Sequence, residues 1–225
     1  TLQFNASIYR YQYENIHGQF VTASFLGGTG TSVQGFPEAN TNGLEVDFIY
    51  SPNAGFLLGG NASYTDAEYS EEYIQPTGVA GVIDENDPNA PPSIYSIAER
   101  TISMKGVQML RIPKSKFAMY ANWSRDLYGG TIDYLLTYAW TSSIMWDDSG
   151  TALDRSQPFD RMDFKVSWRN ADEDLEIMAF VNNIHNRIGV RNTDSDGENQ
   201  GFRRSVTPTL PRSAGIGFTY KFGAY

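Results

Sequence analysis

Eight times along the chain, apolar and polar residues alternate one by one. Leu2, Phe4, Ala6 and Ile8 share a face; so do Leu44, Val46, Phe48 and Tyr50, then Phe56, Leu58, Gly60, Ala62 and Tyr64. Phe117, Met119, Ala121 and Trp123 form the fourth row, and Ile132, Tyr134, Leu136, Tyr138 and Trp140 the fifth. Met162, Phe164, Val166 and Trp168 form the sixth, Leu175, Ile177, Ala179 and Val181 the seventh, and Ala214, Ile216, Phe218, Tyr220 and Phe222 the last. A period of two places these rows on one side of a β-strand and the intervening polar residues on the other. The chain is therefore predicted to be all-β, with strands that meet two different surroundings.

The connections alternate as well. Ser51–Gly55, Asp126–Gly130 and Asn170–Asp174 are tight turns, whereas the intervening segments are long, polar and rich in Gly and Pro. The longest runs from about Ala67 to Ile112 and contains Asp84-Glu-Asn-Asp-Pro-Asn-Ala-Pro-Pro92. Long loops of this kind are uncommon in a compact soluble domain. Short turns at one end and long loops at the other suit an outer-membrane barrel, whose periplasmic turns are short and extracellular loops long. Hydrophobic residues make up only 40% of the chain while aromatics reach 14%. That balance suits a wall one strand thick better than a large core. Aromatics also fall near the strand ends, where the two membrane interfaces would lie: Tyr50, Phe56, Trp123, Trp168 and Phe222 toward the turns, Tyr64, Trp140 and Trp146 toward the loops.

The fold expected is an antiparallel transmembrane β-barrel with eight strands in this chain. Lipid takes the apolar faces, including the last row, which no later residues could cover. A soluble β-sandwich alternates in the same way and is the rival fold, but its rows should meet in a core. No stretch reaches the eighteen or so apolar residues of a transmembrane helix. The lack of cysteine removes disulfides and thiolate chemistry, and a net charge of -9 argues against nucleic acid as a partner. The chain opens on Thr1, with neither an initiator Met nor a signal-like segment, so a processed protein or a piece of a longer one is expected.

Five segments, in order, resemble the barrel of TonB-dependent outer-membrane receptors. Asn5–Ile16 is similar to their tyrosine-rich strand, Thr41–Asp47 to their Gly-x-Glu strand, and Gln108–Phe117 to their Arg-x-Pro segment. Ala179–Asn186 resembles the penultimate strand with its Val-Asn-Asn core, and Pro211–Phe222 the last. The resemblance implies a barrel of roughly twenty-two strands with an internal plug, of which residues 1–225 are the C-terminal closing third. It further implies import of a scarce solute (an iron–siderophore complex, a cobalamin or a glycan) into the periplasm of a Gram-negative bacterium. The implied partners are outer-membrane lipid and lipopolysaccharide, the rest of the barrel and its plug, TonB acting through an N-terminal part with no counterpart here, and the outer-membrane assembly machinery. Family chains end on the aromatic matching Phe222. This one adds Gly-Ala-Tyr225, so Phe222 and Tyr225 are both candidates for the assembly signal.

Few residues suggest chemistry. Asn192–Glu198 has the opening of a calcium loop, but Arg203 occupies the position that needs a bidentate Glu, and a solvated turn is the simpler reading. His17 and His185, each expected just beyond a strand end, lack a clear carboxylate or serine partner. No phosphate loop or G-x-S-x-G elbow is present. Neither a catalytic site nor a cofactor is expected. A complete eight-stranded barrel serving as anchor or adhesin is the main alternative, and a small-barrel enzyme acting on lipid A or peptides a third. The candidate cargo contacts are loop residues: Tyr69 and Tyr73, then Arg191, Phe202, Arg203 and Arg204. Arg and aromatic groups give affinity from few residues. The arginines could equally hold lipopolysaccharide phosphates.

Overall fold

A computed structural model describes residues 1–23, 29–72, 74–76, 101–103, 105–146, 155–195 and 204–223. In chain order its strands are β1 (Leu2–Ala23), β2 (Thr29–Asn53), β3 (Phe56–Tyr69), β4 (Ile74–Pro76), β5 (Thr101–Ser103) and β6 (Ser115–Leu127). They continue with β7 (Gly130–Thr141), β8 (Phe159–Asn170), β9 (Leu175–Asn182), β10 (Val190–Ser195), β11 (Arg204–Pro208) and β12 (Ser213–Tyr220). Eight of them form one antiparallel sheet in the order β1-β2-β3-β6-β7-β8-β9-β12, and β4 with β5 and β10 with β11 make two small separate sheets. β1 and β12 are the outer strands of the large sheet and do not pair with each other. The architecture is a partial, unclosed barrel.

The register joins the apolar rows. Phe4 faces Phe48 and Ile8 faces Leu44; Leu44 faces Tyr64, and Leu58 faces Ala121. Trp123 then faces Tyr134, Leu136 faces Phe164, Val166 faces Ala179, and Ile177 faces Phe218. The result is one apolar band across eight strands. It is bare: Ile8, Ile216 and Phe218 are 84%, 88% and 69% exposed. Among the described residues only Ala39, Ala67, Tyr69 and Met145 are buried hydrophobics. A sandwich would have buried the band in a core, so that rival fold is set aside, and lipid is the surrounding that removes the band from water.

Aromatic pairs mark the two edges of the band. Trp123 stacks on Tyr134 with ring centroids 5.5 Å apart, and the Arg125 guanidinium lies 5.1 Å from the Trp123 ring. The Trp168 indole donates to the Leu127 carbonyl at 2.8 Å. At the opposite edge Phe117 stacks on Trp140 at 5.7 Å. Rings with one polar handle suit the boundary between hydrocarbon and water.

The turns are tight, as expected. That between β6 and β7 narrows to Tyr128 and Gly129, with φ of 50° and 68°. Two central residues at positive φ match the twist of a hairpin. The turn after β8 is closed by Asn170, whose Oδ1 accepts the Leu175 N–H at 2.9 Å.

The long connections differ from expectation. The sequence between Ile16 and Thr41 reads as a loop, yet β1 and β2 run for 22 and 25 residues and pair through nearly all of it. About 9–11 residues cross a membrane, so this hairpin continues well past the lipid. The pairing passes from Glu14 opposite Glu38 to Ile16 opposite Phe36 and skips Asn15, at φ 56°, and Pro37, which has no N–H to give to the ladder. Ala67 belongs to β3 rather than to the following loop. The end of that loop lies back along β3, with the Tyr69 N–H donating to Val107 at 3.1 Å and the Met109 N–H to Ala67 at 2.9 Å.

Candidate functional site

The face opposite the lipid band is where a solute could be met. On β1 it carries Gln3, Asn5 and Ser7, and then three tyrosines in the same phase, Tyr9, Tyr11 and Tyr13. Their rings form a ladder, with centroids 5.2 Å apart for Tyr9 and Tyr11 and 6.1 Å for Tyr11 and Tyr13. Tyr9 sits level with the top of the lipid band, opposite Gly43, and its hydroxyl shares a 3.0 Å hydrogen bond with Thr65 Oγ1. A Cβ at Gly43 would run into the Tyr9 ring, so this glycine lets the ring lie flat against β2. Tyr11 and Tyr13 remain 52% and 44% exposed. Beside the ladder on β2 are Glu45 and Asp47, the latter accepting from Asn5 Nδ2 at 2.7 Å.

Across the sheet the same face is held by ion pairs. Arg169 Nη2 reaches Asp133 at 2.8 Å, and Ser124 Oγ also donates to that carboxylate. Lys165 and Glu176 are 3.8 Å apart. Arg161 Nε donates to both oxygens of Asp163 at 2.8 and 2.9 Å.

At the outer end of β8 and β9 these pairs merge into a knot around Asn183, which is 1% exposed. Its N–H donates to Asp163 at 2.7 Å, its Nδ2 to the carbonyls of Arg187 and Leu210 at 2.6 and 3.1 Å, and its Oδ1 accepts the Arg187 N–H at 3.1 Å. The residue adopts φ 52°, a conformation Asn tolerates better than most. Beside it the 3%-exposed Asp160 holds His185 Nδ1 at 2.8 Å and the Arg187 guanidinium. Together these contacts tie both ends of the 183–212 segment to the barrel rim.

The sequence-predicted residues fall unevenly on this frame. Arg191 is an exposed residue of β10. Arg204 opens β11 opposite Ser195. Tyr69 is buried in a small cluster with Ala39, packed by Ile16, Val107 and Met109. Tyr73, Phe202, Arg203 and Tyr225 lie outside the described residues. Phe222 is 85% exposed and meets Tyr220 edge-on at 4.7 Å. His17 lies within β1, not beyond its end, because β1 is longer than its apolar row. His185 does follow β9, and it has a carboxylate partner after all in Asp160. Asn192 to Ser195 are ladder residues of β10 rather than a turn. The tyrosine ladder was not singled out from sequence as a site. Its signal was three tyrosines spaced by two, out of phase with Leu2, Phe4, Ala6 and Ile8.

Two open hollows, of about 500 and 390 Å³, border residues from both faces of the sheet, so neither is an enclosed cavity in a wall one strand thick. Apolar outside, polar and aromatic inside, this is the wall of an outer-membrane β-barrel.

The family described as TonB dependent receptor-like, beta-barrel matches residues 1–184. The chain belongs to that family, whose members are receptors and transporters of the Gram-negative outer membrane rather than enzymes. Among solved structures it is similar to the siderophore receptor PiuA from Acinetobacter baumannii, at 15% identity and TM-score 0.66, over 98% of this chain and 26% of that one. It is similar also to the ferric yersiniabactin uptake receptor FyuA from Yersinia pestis, at 12% identity and TM-score 0.63, over 99% and 35%. The ferric preacinetobactin receptor BauA from Acinetobacter baumannii aligns at 16% identity and TM-score 0.61, over 99% and 27%. At such identities the likeness is one of fold. The chain spans between about a quarter and a third of those receptors' lengths. No curated protein matches it.

Proposed function

We propose that residues 1–225 are the C-terminal, closing wall of a TonB-dependent outer-membrane receptor that binds a scarce solute and imports it into the periplasm. The observation that carries this reading is the unclosed sheet with its uninterrupted apolar band, in a chain whose family match covers residues 1–184. An unpaired strand edge cannot rest in hydrocarbon, where its N–H and C=O groups find no partner, so β1 and β12 call for further strands. The anchor, adhesin and small-barrel enzyme alternatives need a closed eight-stranded wall and gain no support here.

In the complete receptor the partners are the remaining strands, an internal plug, TonB through the N-terminal part, the barrel assembly machinery, and the lipid and lipopolysaccharide of the outer membrane. The cargo is of iron–siderophore, cobalamin or glycan type. The 183–212 loop presents Arg191, Phe202, Arg203 and Arg204 to it; Tyr73 contributes from the longest loop, and Tyr69 shapes the wall beneath. Phe222 and Tyr225 serve assembly. Two experiments test this. Expressed alone, residues 1–225 should give no heat-resistant folded monomer, whereas the full-length receptor should; a folded monomer with β1 cross-linked to β12 would restore the small-barrel alternative. In the full-length receptor, deleting Asp84–Pro92 or replacing Arg203 and Arg204 by Ala should weaken cargo binding at unchanged barrel levels. Unchanged binding in both variants would move the contacts to other parts of the receptor.

A further inference from the structure

The turn-side edge of the lipid band carries one charge. Among the described residues of the eight strands, Arg125 is the only charged side chain in the lipid-facing phase at that end. It follows Trp123 by two residues in β6, is exposed, and forms no ion pair among the described residues. Asp126 takes the opposite face, across from Thr131. Asp133 of β7 also faces inward and is held by Arg169 and Ser124.

The guanidinium does not reach past the turn into water. It lies 5.1 Å from the Trp123 ring centroid and 6.0 Å from that of Tyr134, and those two residues face each other one step nearer the membrane centre. The side chain therefore turns back along its strand onto a stacked pair of rings. Phe56 borders Trp123 on β3. On β8, level with Arg125, stands Trp168, its ring seated at Gly130 and its indole tied to Leu127.

A cation at the edge of hydrocarbon with no carboxylate beside it needs an anion from elsewhere. Short turns put this edge at the periplasmic leaflet, where phospholipid headgroups supply phosphate. Arg presents a planar fork that takes two phosphate oxygens at once, and the rings beneath hold it flat at that depth. A zwitterionic headgroup brings its own ammonium to compete for the phosphate; an anionic one does not. We propose that Arg125, Trp123 and Tyr134 form a binding site for an anionic phospholipid of the periplasmic leaflet, its phosphate on the guanidinium and an acyl chain along Ala121 and Leu136, which face each other. This rests on the receptor reading above for the side on which the turns lie, and it names one lipid partner and its place.

The test titrates the full-length receptor in detergent with phosphatidylglycerol or phosphatidylethanolamine of the same acyl chains, read by native mass spectrometry. One phosphatidylglycerol should bind about tenfold more tightly than phosphatidylethanolamine. Arg125→Gln should abolish that preference and Arg125→Lys should keep part of it, while Arg10→Gln, at the loop side, should leave it whole. Equal binding of the two lipids, or a preference that survives Arg125→Gln, would overturn the site and leave the receptor reading intact. Orientation is checked separately with Tyr128→Cys, at the tip of the β6–β7 turn. A bulky membrane-impermeant maleimide should label it only after the outer membrane is opened. Labelling on intact cells would put the turn outside and overturn both the site and the receptor reading.

Discussion

β1–β3 and β7–β9 carry the same apolar band, yet they secure their outer ends differently. The first group is long, with a hairpin of 22 and 25 residues held by its backbone ladder and, among the described residues, by a few side-chain contacts such as Tyr9 to Thr65. The second has strands of 8 to 12 residues and a dense polar frame, in which Asp133, Arg161, Asp163, Lys165, Arg169, Glu176 and Asn183 are all paired. A long ladder satisfies every backbone group by itself and leaves its side chains uncommitted. A short ladder needs side chains to hold the loop that leaves it. The lesson is that a long ladder can leave wall side chains such as Tyr11 and Tyr13 exposed, whereas a short one draws its side chains into a polar frame.

The lipid band should not distinguish the two groups at all. In the full-length receptor, Val46→Arg in β2 and Val166→Arg in β8 should each cost roughly 2–4 kcal/mol of folding free energy in liposomes. Thr137→Arg, on the inner face opposite Asp163, should cost far less. A mild Val46→Arg beside a costly Val166→Arg would mean that β1–β3 do not face lipid.

Next in size is the knot. Asn183→Ala removes its side-chain bonds to Arg187 and Leu210 and should cost roughly 2–3 kcal/mol, since buried partners are left unsatisfied. Hydrogen exchange should rise at residues 184–190 and 205–212. Asn183→Gly, which keeps the backbone conformation, should loosen the same segments if the side chain is what matters. Thr65→Val, removing the Tyr9 hydroxyl's partner, should cost only about 0.5–1.5 kcal/mol and leave the exchange of the 183–212 segment unchanged. Equal costs at Asn183 and Thr65 would dissolve the contrast between the two regions.

The smallest effect concerns Lys114, just before β6. Its hydrogen bond to Asp66 at 2.8 Å raises its pKa above 10.5, helped by the nearby negative charges and opposed by a slight burial. A raised folded-state pKa stabilises fully below the unfolded value and is lost as pH climbs through the folded one. The pair is solvent-exposed, so screening holds the contribution to about a few tenths of a kcal/mol. Lys114→Met should therefore flatten a slight loss of stability above pH 10.5 and change nothing at neutral pH.

How much could be read from sequence follows the lipid. Wherever hydrocarbon meets one face of a strand, the chain must alternate, and all eight strands of the large sheet showed their rows. Above the membrane both faces meet water and that requirement ends, so His17–Ala23 and Thr29–Asn40 looked like loop although they are strand. The β10–β11 pair escaped notice for the same reason. Of the candidate site, the 183–212 loop was visible through its arginines. The Val-Asn-Asn pattern was visible too, but not the role of Asn183, because a buried amide with three hydrogen bonds, on a residue whose N–H makes a fourth, is a property of three separate segments meeting, and periodicity reports only on one.

The glycines of the inner face have a consequence for what can pass. At Gly59 an added Cβ would lie 2.5 Å from the Tyr120 ring, and at Gly215 it would lie 2.8 Å from the Phe180 ring. Each large side chain is thus countersunk into a groove left by the neighbouring strand, as Tyr9 is at Gly43. The bulk needed to stiffen the wall is stored within the wall's own thickness. Filling those grooves with alanine would leave the strands, the register and the lipid band as they are, and would push the rings out into the bore. Clearance, rather than stability, is what these positions set.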